Sequence, residues 1–194
     1  MQLIPDRIAF SKSKLSDSAV LLTLCQLSDG RIISRRKIAE EAGLTERSVR
    51  NALDLLRENN MVEVNSWGVS ITDYGKRLLN GIGVEPVDLD MSQWIAEECI
   101  QCIVVRKTAS RLDDGHEQRA AATDKGCESC NIWVLSDGRL TMVPGWNADL
   151  NEPVLAGRMR IRCGLSEGDV LIAVGGSDAA SVREGAIAAA LSLL

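Results

Sequence analysis

Four groups of residues in this chain carry side chains able to do chemistry. The first is basic. Arg35, Arg36 and Lys37 are consecutive, and Arg47, Arg50 and Asn51 follow within the stretch TERSVRNALDLLREN. Cationic heads bind phosphates and carboxylates, and the planar Arg fork does so in pairs of hydrogen bonds. The second is made of thiols: Cys99 and Cys102, then Cys127 and Cys130, form two CxxC pairs with 24 residues between them, the order of a four-thiolate zinc site. The third surrounds the single histidine, His116, with Asp113, Asp114, Glu117 and Arg119 nearby. The fourth, Gly175-Gly176-Ser177-Asp178, follows an apolar run and opens a helical one, so free backbone N–H groups there could hold an anion.

Each group has a plainer reading. If CIQCIVV is a strand, Cys99 and Cys102 project from opposite faces, and neither pair has the Gly or Pro turn that helps a CxxC close on metal. Buried small hydrophobes are then the default for Cys99, Cys102, Cys127 and Cys130, with zinc or a redox role as the alternatives. Cys25 and Cys163 sit in apolar-periodic contexts and read as core. One histidine without a serine or cysteine partner gives little support to nucleophilic catalysis, and Asp113 and Asp114 suit a helix start. Asp178 can cap the helix that follows it, which competes with a bound anion. Gly175, Gly176, Ser177, Arg119 and His116 remain the candidates for a small ligand. No cofactor is expected, and the chain is expected not to be an enzyme.

The basic group needs elements to present it. Leu15 to Leu27 reads as an apolar helix with Ser16 as its N-cap and Val20, Leu21, Leu24 and Leu27 as a buried stripe. Asp29-Gly30 marks a turn, RII a short strand, and Ser34 caps a second helix with Ile38 and Ala39 inward. Gly43 ends that helix, Leu44 anchors the connection, and Thr45 caps a third. There Val49, Ala52, Leu53 and Leu56 follow helical spacing, which leaves Arg47, Arg50, Asn51 and Asp54 facing outward. Asn60 suits a left-handed stop, MVEV and GVSI flank NSW as a hairpin, and Thr72 caps a helix returning Leu78 and Leu79 to the core.

That order, carried by SRRKIAEEAGLTERSVRNALDLLRENNMVEV and GVSITDYGKRLL, resembles the winged helix-turn-helix family over roughly residues 10–80. The resemblance implies that the Thr45 to Asn59 helix enters the major groove of double-stranded DNA. Arg47, Ser48, Arg50 and Asn51, with Thr45 at the helix start, would then face base edges, Arg suiting guanine and Asn adenine. Arg35, Arg36 and Lys37 would hold phosphates. One such module covers few base pairs, so a homodimer on two half-sites is expected, its interface drawn from the first helix or the second domain. Winged helices also dock proteins, and that alternative stands. Trp67 at the hairpin tip either packs on DNA or folds back onto its own domain.

Composition bounds the rest. The chain has 194 residues, 45% hydrophobic and 25% charged, and no run reaches the roughly 18 apolar residues of a membrane span. A net charge of -5 excludes a uniformly basic nucleic-acid protein, yet residues 1–80 carry 12 Lys+Arg against 10 Asp+Glu, while residues 81–194 carry 10 against 17. MQLIPDRIAF shows no secretory pattern, so a cytoplasmic address with reduced thiols is expected.

The expected domains are a winged helix over 1–80, a linker over 81–94 centred on NGIGVEPVDLD, and a second domain over 95–194. In the second, CIQCIVVRK, NIWVL, RLTMV, RMRIRC and DVLIAVGG read as strands, and DGHEQRAAATDKG and SDAASVREGAIAAALSLL as helices. This is an α+β fold: a mostly antiparallel sheet with helices on one face. GHEQRAAATDKGCESCNIWVLSDGRLTMVPG and GDVLIAVGG with EGAIAAALSLL resemble the second domain of archaeal winged-helix proteins, a family of no established function. Ala120, Cys127 and Cys130 depart from that pattern. The small apolar surface of AIAAALSLL either pairs two subunits or packs on its own sheet. Taken together, the sequence points to a DNA-binding transcription regulator whose second domain dimerises and senses an effector or a thiol or metal state. A protein-docking module and an enzyme with an accessory winged helix are the alternatives.

Overall fold

The structure, a computed structural model, describes residues 17–194 and divides between Ile82 and Gly83 into two compact units. The expected N-cap at Ser16 lies outside the described residues. In the first unit α1 spans Asp17–Cys25, and Ala19, Val20, Leu21, Leu22 and Leu24 are all buried. A helix apolar all round is swallowed by its own domain, so α1 offers no free apolar face for a dimer.

The next helix, α2, spans Arg35–Ala42; the Ser34 hydroxyl accepts from the Lys37 N–H at 3.3 Å. Gly43 closes it with φ of 68°, a conformation that costs glycine little, and the Leu44 N–H reaches the Ala39 carbonyl at 2.9 Å. Helix α3, Glu46–Glu58, buries Val49, Ala52, Leu53 and Leu56 and stops at Asn60, whose φ is 58°. Strands β1 (Val62–Asn65) and β2 (Gly68–Ile71) form the hairpin, with Ile33 bridged to Val69 as a third edge. Helix α4, Asp73–Ile82, is capped by Thr72, whose hydroxyl accepts from the Gly75 N–H at 2.9 Å. These elements wrap Leu27, Ile38, Val49, Ala52, Leu56 and Met61.

The second unit is a six-stranded sheet. Its elements are β3 (Val84–Val87), β4 (Cys99–Val105), α5 (His116–Thr123), β5 (Ser129–Ser136), β6 (Arg139–Met142), β7 (Trp146–Asn147), α6 (Ala148–Asn151), α7 (Pro153–Cys163), β8 (Val170–Gly176) and α8 (Ala179–Leu191). The strand order is β3-β4-β8-β5-β6-β7, and every neighbouring pair is antiparallel.

Three expectations are corrected. Helices lie on both faces of the sheet, not one. Leu155, Ala156, Met159 and Cys163 of α7 share a core with Cys102, Val104, Leu171 and Ala173, whereas α5 and α8 pack on the other face. The signal was present in β8: VLIAVGG is buried at all seven positions, and an unalternating apolar strand is one covered on both sides. Residues 84–87, read as linker, are the edge strand β3, paired with β4 from Val84↔Val105 to Val87↔Cys102. RMRIRC, read as a strand, is the C-terminal half of α7, started by Pro153 at its first turn and closed by Gly164 at φ of 54°. AIAAALSLL is mostly interior, with Ala186, Ile187, Ala189 and Ala190 buried, so it is not an exposed pairing surface.

Candidate nucleic-acid interface

Two capped helix starts converge in the first unit. Ser34, Arg35 and Arg36 from α2 and Glu46, Arg47 and Arg50 from α3 line an open groove of about 640 Å³. Four guanidinium groups thus face one carboxylate, and the positive ends of both helix dipoles add to the same sign. Among the described residues Arg35, Arg47 and Arg50 make no ion pair, while Arg36 is held by Glu40 at 3.0 Å, both side chains largely exposed. Such an exposed pair holds with at most about 1 kcal/mol and yields easily to phosphate.

The other DNA-facing candidates fall around this groove. Asn51 is exposed on α3, one residue beyond Arg50. The Thr45 and Ser48 hydroxyls lie 2.8 Å apart, and Thr45 accepts from the Ser48 N–H at 3.1 Å, so both already serve the cap at the tip of α3. Lys37 does not line the groove; it faces Glu41 at 3.6 Å. Trp67 is 84% exposed at the hairpin tip, which corrects the reading that folds it back onto its own domain. The reason is local. Asn65 Oδ1 accepts from the Trp67 and Gly68 N–H groups at 2.8 and 3.1 Å, fixing a turn that projects the indole outward.

In the second unit the small-ligand candidates are not brought together. Ser177 N–H donates to the Glu128 carboxylate at 2.9 Å and Asp178 accepts from Ser181 N–H at 2.8 Å, so protein carboxylates occupy the donors of the Gly-Gly-Ser-Asp turn. The Ser181 N–H bond holds the Asp178 carboxyl below its usual range. Arg119 turns toward the Asp114 carbonyl, and His116 is exposed at the first residue of α5 with its N–H on Asp114 Oδ1 at 2.8 Å. Gly176 lies beside Cys127 and Glu128, past the opposite end of α5 from His116.

The four-cysteine set is divided as well. Cys102 lies in the α7-facing core, its thiol toward the Leu89 carbonyl, while Cys127 and Cys130 turn to Ser181 and Gln118 on the α5 and α8 side. Burial pushes Cys102 and Cys130 up to about 12, so both stand as thiols at neutral pH. Among the described residues no three His, Cys, Asp or Glu side chains converge as a metal site would require. No helix among them is long and apolar enough to cross a membrane.

Comparison with known proteins agrees with this division. Residues 22–84 match the family described as the CggR N-terminal DNA binding domain. Among solved structures, a hypothetical protein, PH0730 from Pyrococcus horikoshii OT3, is similar over 93% of each chain with a TM-score of 0.70 and 20% identity, a likeness of fold. No curated protein matches the chain. Residues 96–193, half of the chain and nearly the whole of its sheet unit, match the domain of unknown function DUF4443, and the protein belongs to that family, with a DNA-binding winged helix ahead of it.

Proposed function

We propose that this protein is a cytoplasmic transcription regulator that binds double-stranded DNA as a homodimer. The observation that carries the reading is the groove between α2 and α3, where Arg35, Arg47 and Arg50 make no ion pair among the described residues, on a winged helix matched to a DNA-binding domain. Placed in the major groove, Arg47 and Arg50 reach base edges, Asn51 extends the same face, and Arg35 and Arg36 grip flanking phosphates, with Lys37 reaching a further phosphate from outside the groove. Thr45 and Ser48 hold the tip of α3 in place and present its N–H groups to the backbone.

The second unit joins two such modules so that they meet two half-sites about one helical turn apart. A small effector that binds one dimer geometry better than the other would shift operator occupancy by that difference in affinity. Binding, not catalysis, is then the activity.

The test is fluorescence anisotropy of pooled genomic fragments at two salt concentrations with the unaltered chain and an Arg47→Ala/Arg50→Ala variant. We expect salt-dependent binding to a selectable subset, weakened in the variant by about 2–6 kcal/mol for two lost base contacts. Equal binding by both chains, or none by either, would overturn the reading and favour a protein-docking winged helix.

A further inference from the structure

The groove between α2 and α3 holds one residue that phosphate binding does not explain. Glu46, the first residue of α3, is exposed and lines the groove together with Arg35, Arg36, Arg47 and Arg50. Phosphates repel a carboxylate, so in a groove built only to grip the backbone Glu46 would subtract from the charge its neighbours supply. Nor do the arginines neutralise it. Arg50 stands at the (i, i+4) position on the same helix, yet Glu46 makes no ion pair and no side-chain hydrogen bond among the described residues.

The fold makes little use of Glu46 either. The α3 cap is complete without it: Thr45 accepts from the Ser48 N–H at 3.1 Å, and Ser48 occupies the position from which a capping-box acid would reach back. The helix dipole favours an acid in the first turn, but it would do so equally for one aimed away from the groove.

Major-groove chemistry does give the acid a partner. An ionised carboxylate only accepts, and the donors exposed in the major groove are the N4 amino group of cytosine and the N6 amino group of adenine. Adenine sets its N7 acceptor beside that donor, a pattern that an amide meets and a carboxylate opposes, so cytosine is the base that suits Glu46. Arg50, one turn along, carries the complementary donors. A G·C pair shows two acceptors on guanine and one donor on cytosine along a single edge, so an acid and an arginine side by side on one helix answer that edge, within one base pair or two neighbouring ones. The match of residues 22–84 to a DNA-binding domain is the independent ground for duplex DNA as the occupant of the groove.

We propose that Glu46 is a specificity-determining residue whose carboxylate accepts from the N4 amino group of a cytosine, beside a guanine held by Arg50. The inference rests on the reading of α3 as the helix that enters the major groove, and adds to it a residue that selects by penalising the wrong base: over guanine or thymine the acid meets only acceptors.

Selection from a randomised duplex pool by the unaltered chain, Glu46→Gln and Glu46→Ala tests it, followed by anisotropy titrations of the selected site and its single-base variants. Glu46 is exposed at a helix start, so both variants keep the fold, which circular dichroism checks. The unaltered chain should prefer cytosine at one position by about tenfold, as one good base contact gives. Glu46→Gln should move the preference at that position to adenine, whose N6 and N7 a glutamine meets, and leave the other positions as they were. Glu46→Ala should lose the preference there and bind unrelated duplex no more weakly, since a repulsive charge has gone. A preference unchanged at every position in both variants overturns the proposal and leaves α3 as the helix in the groove, with Glu46 serving only its dipole. An equal change of affinity across all sequences overturns it too, as plain repulsion of phosphates. Absence of salt-dependent binding is a separate failure, that of the DNA reading itself, and it shows in the unaltered chain before any variant is made.

Discussion

Asp169, buried in the turn before β8, accepts a hydrogen bond from Arg106 Nη1 at 2.8 Å. The same guanidinium donates to the Gly164 and Cys163 carbonyls at the end of α7 and to Glu85 on β3, so one ion pair joins the edge strand, the end of α7 and the centre of the sheet. Asp169 also accepts from the Lys107 and Ser166 N–H groups at 3.1 and 2.9 Å. Removing it takes away the cation's buried partner and leaves two backbone donors without their acceptor. Asp169→Ala should cost about 3 kcal/mol or more in urea unfolding, against less than about 1 kcal/mol for Glu85→Ala, whose own carboxylate is exposed and leaves Arg106 still paired with Asp169.

The same carboxylate makes stability depend on acid. Burial alone would push its pKa up, but the Arg106 bond and the backbone N–H groups outweigh it and hold it below the usual range. A depressed folded pKa means that the stabilisation is complete above the unfolded value of about 4 and is lost as pH falls through the folded one. Melting temperature measured from pH 5 down to pH 2 should therefore fall less steeply in Asp169→Asn than in the unaltered chain.

At the DNA surface, phosphate and base contacts are separable. An Arg35→Ala/Arg36→Ala variant should lose affinity uniformly across sequences, and the slope of log K against log salt should shrink by about 1.8 for two phosphates released. Sequence preference should persist. A change of preference with an unaltered slope would mean that these residues read bases.

Between α5 and α8 there is no spare room: a Cβ on Gly185 would stand 2.2 Å from Cys127 Sγ and 3.3 Å from the Ala122 carbonyl. Gly185→Ala should lower stability by about 1–3 kcal/mol through overpacking, despite the roughly 1 kcal/mol that alanine gains within a helix. Adding Cys127→Ala should recover much of that loss. Additive effects in the double-mutant cycle would show that the thiol is not what excludes the methyl group.

The thiols give a further check. Cys102 and Cys130, pushed by burial up to about 12, should resist alkylation at pH 8 in the folded chain and react on unfolding. Mass spectrometry of timed iodoacetamide digests reads this directly. Rapid labelling of Cys130 in the native state would make a redox role for the second unit worth testing.

How much of this was legible follows from where the deciding contacts lie. Ser34, Thr45 and Thr72 were readable as caps, and Gly43 and Asn60 as stops, because each is satisfied by a partner a few residues away or by its own backbone angle. RMRIRC illustrates the opposite case. Its Met159, Ile161 and Cys163 alternate with arginines as a half-buried strand would, yet Leu155, Ala156, Met159 and Cys163 fit a helix equally well. Only the sheet core chooses between them, by taking the second set and leaving Ile161 in water. For the same reason the Gly-Gly-Ser-Asp turn looked open to an anion: the carboxylate that fills it, Glu128, lies 49 residues earlier in the chain.

What the sequence by itself determined is the winged helix and its outward arginines, since 3.6-residue spacing and local caps specify helices without help from distant residues. Tertiary structure alone decided that Arg35 and Arg36 share a groove with Arg47 and Arg50, that helices cover both faces of the sheet, that Cys102 is parted from Cys127 and Cys130, and that α7 leaves Val154 and Ile161 in solvent. Each of those depends on which residues far apart in the chain come to share a surface, and that is set by how the layers close around a core rather than by the spacing within any one segment.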